Sequence, residues 1–303
     1  MIARLPGAIV LTAAIGAALW AGVLGVQHIK GRASVLDRVE TVLVDLRIQA
    51  FGPHAAPLGI AIVAIDDATV STAGRYPLER AHLASLVRRI KEAGTRALAV
   101  DLLLLDASGE EDERDLAEAL ASLPSVIAAA GVFEQPGIGA TVIPAPTDVT
   151  WPRPVFAGAA TVGLVNIATD PGGSPRHMPM VFQTPAGPLP SFGLLAVGAA
   201  LGQPANLTHD GIRVAGVLRT LDIGWHLPLR FYGPRGTIAT VSARTLLETT
   251  GPHPDLEGRL VLLGATATAI GDRFGTPFDP VLPGVEVLAT GIANLLDDSG
   301  LTR

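Results

Sequence analysis

Cysteine is absent from the 303-residue chain. That excludes disulfides, thiolate metal sites and a cysteine nucleophile, and leaves the compartment open. Lysine is nearly absent as well: Lys30 and Lys91 are the only two among 22 basic residues. Charged residues make up 17% of the chain and the formal net charge is -6. With no basic run to follow a phosphate backbone, no nucleic-acid partner is expected. Common enzyme signatures are missing too: there is no G-x-x-x-x-G-K-S/T loop, no G-x-S-x-G elbow and no H-E-x-x-H. The histidines (His28, His54, His82, His177, His209, His226 and His253) are scattered without ligand spacing. No metal, cofactor or catalytic residue is therefore called for.

What is present is apolar: 49% of the residues are hydrophobic. "GAIVLTAAIGAALWAGVLGV" (7–26) carries no charge, and at about 1.5 Å rise per residue such a helix spans the roughly 30 Å hydrocarbon layer. A signal peptide has a shorter core, commonly about 7–15 residues, and Val23–Gly25 is a mediocre cleavage site, so a retained anchor over 7–29 is expected after a short cytoplasmic segment, 1–6. Arg4 lies on one side and Lys30, Arg32 and Arg38 on the other, so the positive-inside rule alone does not orient it. "GLLAVGAAL" (193–201) is too short to span.

Beyond the anchor, "SVLDRVETVLVDLRIQAFG" (34–52) spaces Leu36, Val39, Leu43, Leu46 and Phe51 as an amphipathic helix does. An α/β rhythm follows. Strands are expected at 60–65, 97–105 and 125–133, with helices at 78–94 and 110–122 between them. Near-continuous apolar strands alternating with helices predict a mostly parallel sheet flanked by helices. Residues 134–160, rich in Pro, Gly and Ala, read as a loop, and further strands are expected at 161–167, 178–183, 227–233 and 258–266. Helices are expected at 190–202, 240–248 and 283–298. The whole reads as one α/β domain with a Pro/Gly-rich insertion.

The acids raise the functional question. "IVAIDD" (62–67) runs a buried strand into Asp66 and Asp67, and "LAVDLLLLD" sets Asp101 within the next one. Asp272 follows the strand "RLVLLGAT". Sites in open α/β sheets lie beyond the carboxyl ends of the strands, so neighbouring strands would bring these acids to one rim, with Arg80 and Arg273 available as partners. A ligand pocket and an oxygen-lined divalent-metal site are the functional readings. Turn and cap hydrogen bonds, with Asp101 paired to an Arg, are the structural one. "GATATAIG" (264–271) offers a weak anion motif, and "DPGGSPR" (170–176) reads as a hairpin turn.

The segments in order, "VDLRIQAFG", "VAIDDATVSTAGRYPLERAH", "LAVDLLLLD", "GLVNIATDPGGSPRHMPMVF", "RFYGPRGTIATVSARTLLE" and "LLGATATAIGDRFGTPFDPVLPGVE", resemble the CHASE2 family over about residues 36–303. These are extracytoplasmic sensor domains of bacterial receptors. Leu78 stands where members more often carry an aromatic. The resemblance implies a membrane-anchored sensor for an unknown extracytoplasmic cue, lying at the inner membrane. It also implies further membrane helices and a cyclase, histidine kinase or Ser/Thr kinase output beyond Arg303. Asp66, Asp67, Arg80, Asp101 and Asp272 are the candidate ligand-binding residues, and a homodimer through the membrane-proximal helix is expected. The alternatives are an anchored metal-assisted hydrolase using the same acids, or a dimerisation module.

Overall fold

The computed structural model describes residues 7–29, 35–134, 142–170, 172–208, 211–214, 216–219, 221 and 224–297. Helix α1 (Gly7–Ile29) is followed by α2 (Val35–Phe51). Among the described residues no helix is long and apolar enough to cross a membrane; within α1 the side chains at positions 8, 10 and 27–29 lie outside the described set. Those described in α1 are turned outward, with Leu11, Leu19 and Trp20 all exposed.

The central sheet comprises β1 (Ile60–Ile65), β2 (Ala97–Asp101), β3 (Ser125–Val132), β4 (Asp148–Thr150), β5 (Thr161–Leu164), β6 (Thr240–Ser242) and β7 (Leu260–Ala265). Its order is β6–β1–β7–β2–β3, with β5 and β4 both on β3. Every pairing is parallel except β3 with β4. The expected mostly parallel sheet is thus observed. β1 and β2 are not neighbours, because β7, nearly the last element of the chain, lies between them.

Strands covered on both faces need apolar side chains in both directions, and β1 shows why these six residues form one. Ile60, Ile62 and Ala64 belong to one core cluster, and Ala61, Val63 and Ile65 to the other. On the second face lie α4 (Arg80–Glu92) and α5 (Glu110–Ala121), burying Leu83, Leu86, Ile90, Leu116 and Leu120. On the first lie α7 (Phe192–Leu201) and α9 (Gly284–Leu296), burying Phe192, Val197, Leu288 and Ile292. Each such side chain removed from water contributes about 1.5–3 kcal/mol. Short connecting helices α3 (Asp67–Ala73), α6 (Pro154–Ala157) and α8 (Ala243–Glu248) complete the set.

Several sequence expectations are corrected. β2 stops at Asp101 rather than running to residue 105, so Asp101 is a strand-end residue. The 134–160 stretch holds β4 and α6, with 135–141 outside the described residues. The strand expected at 161–167 ends at Leu164. The one expected at 178–183 is two: Pro175–Pro179, which pairs with Ala168–Thr169 across the Asp170 turn, and Val181–Thr184, which pairs with Gly187–Pro190. Residues 240–248 are not all helix, because Thr240–Ser242 join β1 in parallel before α8 begins. The strand at 227–233 shortens to His226–Pro228. Beyond it the backbone of Arg230 is held by a side chain: its N–H donates to Asn294 Oδ1 (2.8 Å) and its carbonyl accepts from Asn294 Nδ2 (3.1 Å). An amide on α9 thus does there what a ladder would otherwise do.

Candidate functional site

Strand ends at β1, β7 and β2 fall side by side, with Gly264 in register with Asp101. A cavity of about 460 Å³ opens at this rim. Ile65, Ala265 and Asp101 bring the strands to it. Tyr76, Pro77 and Leu78 come from the segment before α4, and Asp272 and Phe274 from the segment after β7. Asn166 and Ile167 follow β5, and Val285 and Leu288 project from α9. Gly264 permits the closeness of α9, since a Cβ built on it would lie 2.7 Å from Val285 Cγ2 and 3.4 Å from Asp101 Cβ. Asn166 is fixed across β3: its amide accepts from Gly131 N (2.6 Å) and donates to Gly131 O (2.9 Å).

The five candidate residues separate into three roles. Asp66 caps α3: its Oδ1 accepts from Thr69 N (2.8 Å) and Thr69 Oγ1 (2.6 Å). Burial raises its pKa, but hydrogen bonds, those from Thr69 foremost, together outweigh that and leave it below the usual carboxylate value. Asp67, the next residue, accepts from Thr268 N (2.7 Å) and Thr268 Oγ1 (2.9 Å), tying α3 to the loop after β7. Neither acid lines the cavity. The structural reading therefore holds for both.

Asp101 and Asp272 do meet in the cavity. Asp101 retains some accessible surface, but that surface faces the cavity, and protein packs around it. Burial first, and then the charge of Asp272, raise its pKa to about 7. The expected Arg partner for Asp101 is not there: Arg273 Nη2 donates instead to the carbonyls of Thr266 and Ala267, 2.7 Å each. Tyr76, 38% exposed, stands over the same space, and its hydroxyl pKa is raised by burial and by Asp101.

Arg80 reaches the cavity from the start of α4 and is 8% exposed. Its Nη2 donates to Asp106 O (3.2 Å), its Cζ lies 5.6 Å from the Phe156 ring centroid, and its Nε has no hydrogen-bond partner. Burial lowers its pKa, which Asp106 and Glu113 partly offset. Arg75, by contrast, makes an exposed ion pair with Glu79.

The remaining motifs also find their places. In "GATATAIG" four amides are already used: Thr266 and Ala267 donate to Ile65 O, Thr268 to Asp67, and Ile270 to Ala267 O. It is a turn, not an anion nest. His177 lies in a strand and is half-buried. Arg176 exceeds its expected turn role: its Nε donates to Asp170 Oδ2 (3.0 Å) while its Nη atoms grip both Asp45 oxygens on α2. Among the described residues no group of three or more His, Asp or Glu could hold a metal. Asp66 and Asp67 are committed to caps and turns, which leaves Asp101 and Asp272 of those strand-end acids in the cavity.

A parallel α/β domain with a cavity at its carboxyl rim belongs to the open-sheet α/β class, in which sites lie beyond the strand ends. The CHASE2 domain family model matches residues 15–303, so the chain belongs to the CHASE2 family of sensor domains. The match begins inside α1, further upstream than the sequence resemblance at residue 36, and so takes in the whole of α2. No curated protein and no solved structure matches the chain.

Proposed function

We propose that this chain is a membrane-anchored extracytoplasmic sensor that receives a small cue in the rim cavity and passes a conformational bias through α2 and α1. The receiving output is a cyclase, a histidine kinase or a Ser/Thr kinase outside these 303 residues. One observation carries the reading: the cavity wall is continuous with a contact on α2. Asp272 and Phe274 line the cavity, and a few residues on, Pro277 O accepts from Gln49 Nε2 of α2 (2.9 Å). Asp45, one helical turn before Gln49, is held by Arg176. A ligand that shifts the 272–279 segment thereby changes the seating of α2. A receptor needs such differential contact, since a ligand indifferent to the two states shifts nothing.

Two features support the anchor. α1 runs 23 residues and carries no Asp, Glu, Lys or Arg. Its outward apolar side chains have no protein partner among the described residues and suit lipid. Alkaline phosphatase or green fluorescent protein fused after residue 303 tests the orientation in a bacterial host. An active phosphatase and a dark fluorescent fusion are expected, both in the membrane fraction. A bright fluorescent fusion with inactive phosphatase overturns the extracytoplasmic reading.

A further inference from the structure

We propose that the rim cavity takes a compact organic cation: a protonated amine on an apolar body. The inference rests on the sensor reading above and names the chemical class of its ligand.

Three observations converge. Asp101 and Asp272 line one wall, and among the described residues neither carboxylate has a hydrogen bond or ion pair to any side chain. Two like charges facing a partly dehydrated space repel, and an ammonium between them relieves both the repulsion and the missing hydration. The wall around them is apolar, made by Ile65, Val165, Phe274, Val285 and Leu288. Such a surface suits a hydrocarbon body and not a bare divalent ion, which takes six or more oxygen ligands. Arg80 takes no part at its head group: its Nη2 donates to Asp106 O (3.2 Å), its Cζ lies 5.6 Å from the Phe156 ring centroid, and its Nε is sealed from the cavity. A volume near 460 Å³ lies in the range of small-molecule sites.

Titration calorimetry on the full chain in detergent micelles, at about pH 8 where Asp101 is ionised, tests this with four isosteres. They are cyclohexylamine, trans-4-aminocyclohexanol, cyclohexanol and cyclohexanecarboxylate. Saturable binding is expected for the two amines alone. Asp101→Asn should weaken both by roughly tenfold or more, the worth of a desolvated charge pair. Should that variant fail to fold, Asp272→Asn, at an exposed position, is expected to give the same loss. Cyclohexanol binding as well as the amines overturns the cation. So does full amine affinity in the aspartate variants, or absence of amine binding at millimolar concentration. Any of these results beside an active phosphatase fusion overturns the ligand class alone, whereas the sensor reading falls with the fusion.

Discussion

Asp66 follows β1 and Asp101 closes β2, with β7 between their strands. The first is stabilised as an anion by two hydrogen bonds from Thr69, the second destabilised as one by burial and by Asp272. Their removal should act in opposite directions. Asp66→Ala strips α3 of its cap and should lower unfolding free energy by about 0.5–2 kcal/mol, read from denaturant melts at pH 7. For Asp101 the pKa is raised on folding, from the usual 3.8 to about 7. Between those values the native state holds a proton that the unfolded chain has lost, so this group's contribution to stability falls as pH rises from about 4 to about 7. It is flat outside that window. Asp101→Asn should flatten that decline and raise the melting temperature at about pH 8. Thermal melts across the window check it; a variant whose pH profile parallels the parent's removes Asp101 as the source.

The elements were legible where burial is two-sided. β1, β3 and β7 are short runs of apolar residues covered on both faces, and the β-branched content of "IAIVAI" and its brevity favour a strand over a buried helix. α4 was legible because Leu83, Leu86, Val87 and Ile90 recur at the helical period and Gly94, at φ +83, ends it. Strand pairing by side chain was not. Nothing local in "LPLRFYG" says that Asn294, far along the chain, will take the hydrogen bonds of Arg230. Likewise "TVS" reads as the start of α8 until β1 supplies its parallel partner. For the site, the strand-end rule led to Asp101 and Asp272, because carboxylates closing buried strands have few places to go. Tyr76, Asn166 and Phe274 carry no such signal: they come from aperiodic connections, and only the fold brings them together. Arg176 was hidden for the same reason. Arg176→Gln leaves Asp45 and Asp170 without their shared cation. It should speed amide exchange over residues 42–51 of α2 while β1 and β7 keep their protection, as mass spectrometry would resolve.

At the scale of the molecule, α2 divides its surface. Asp45 and Gln49 face the domain, whereas Leu43, Leu46 and Phe51 are exposed. The proposed homodimer would pair these apolar positions from two chains anchored in one bilayer. The absence of cysteine makes this clean to test: Leu43→Cys should give a single oxidised dimer band in membranes, and Asp45→Cys, on the docked side, should not. Equal bands from both would argue against pairing along α2.

The place of β7 has a consequence for biogenesis. Ile60 must wait for Leu260, and Ala97 meets that same residue from the other side, so although β2 can pair early with β3, the edges of β1 and β2 that face β7 stay unpaired until residues 260–265 are made. A nascent chain cut short of β7 presents two bare apolar edges with a gap between them. Such non-local closure slows folding. For the exported sensor proposed above, the delay is an asset: while the middle strand is missing, the chain stays open enough to pass a translocon.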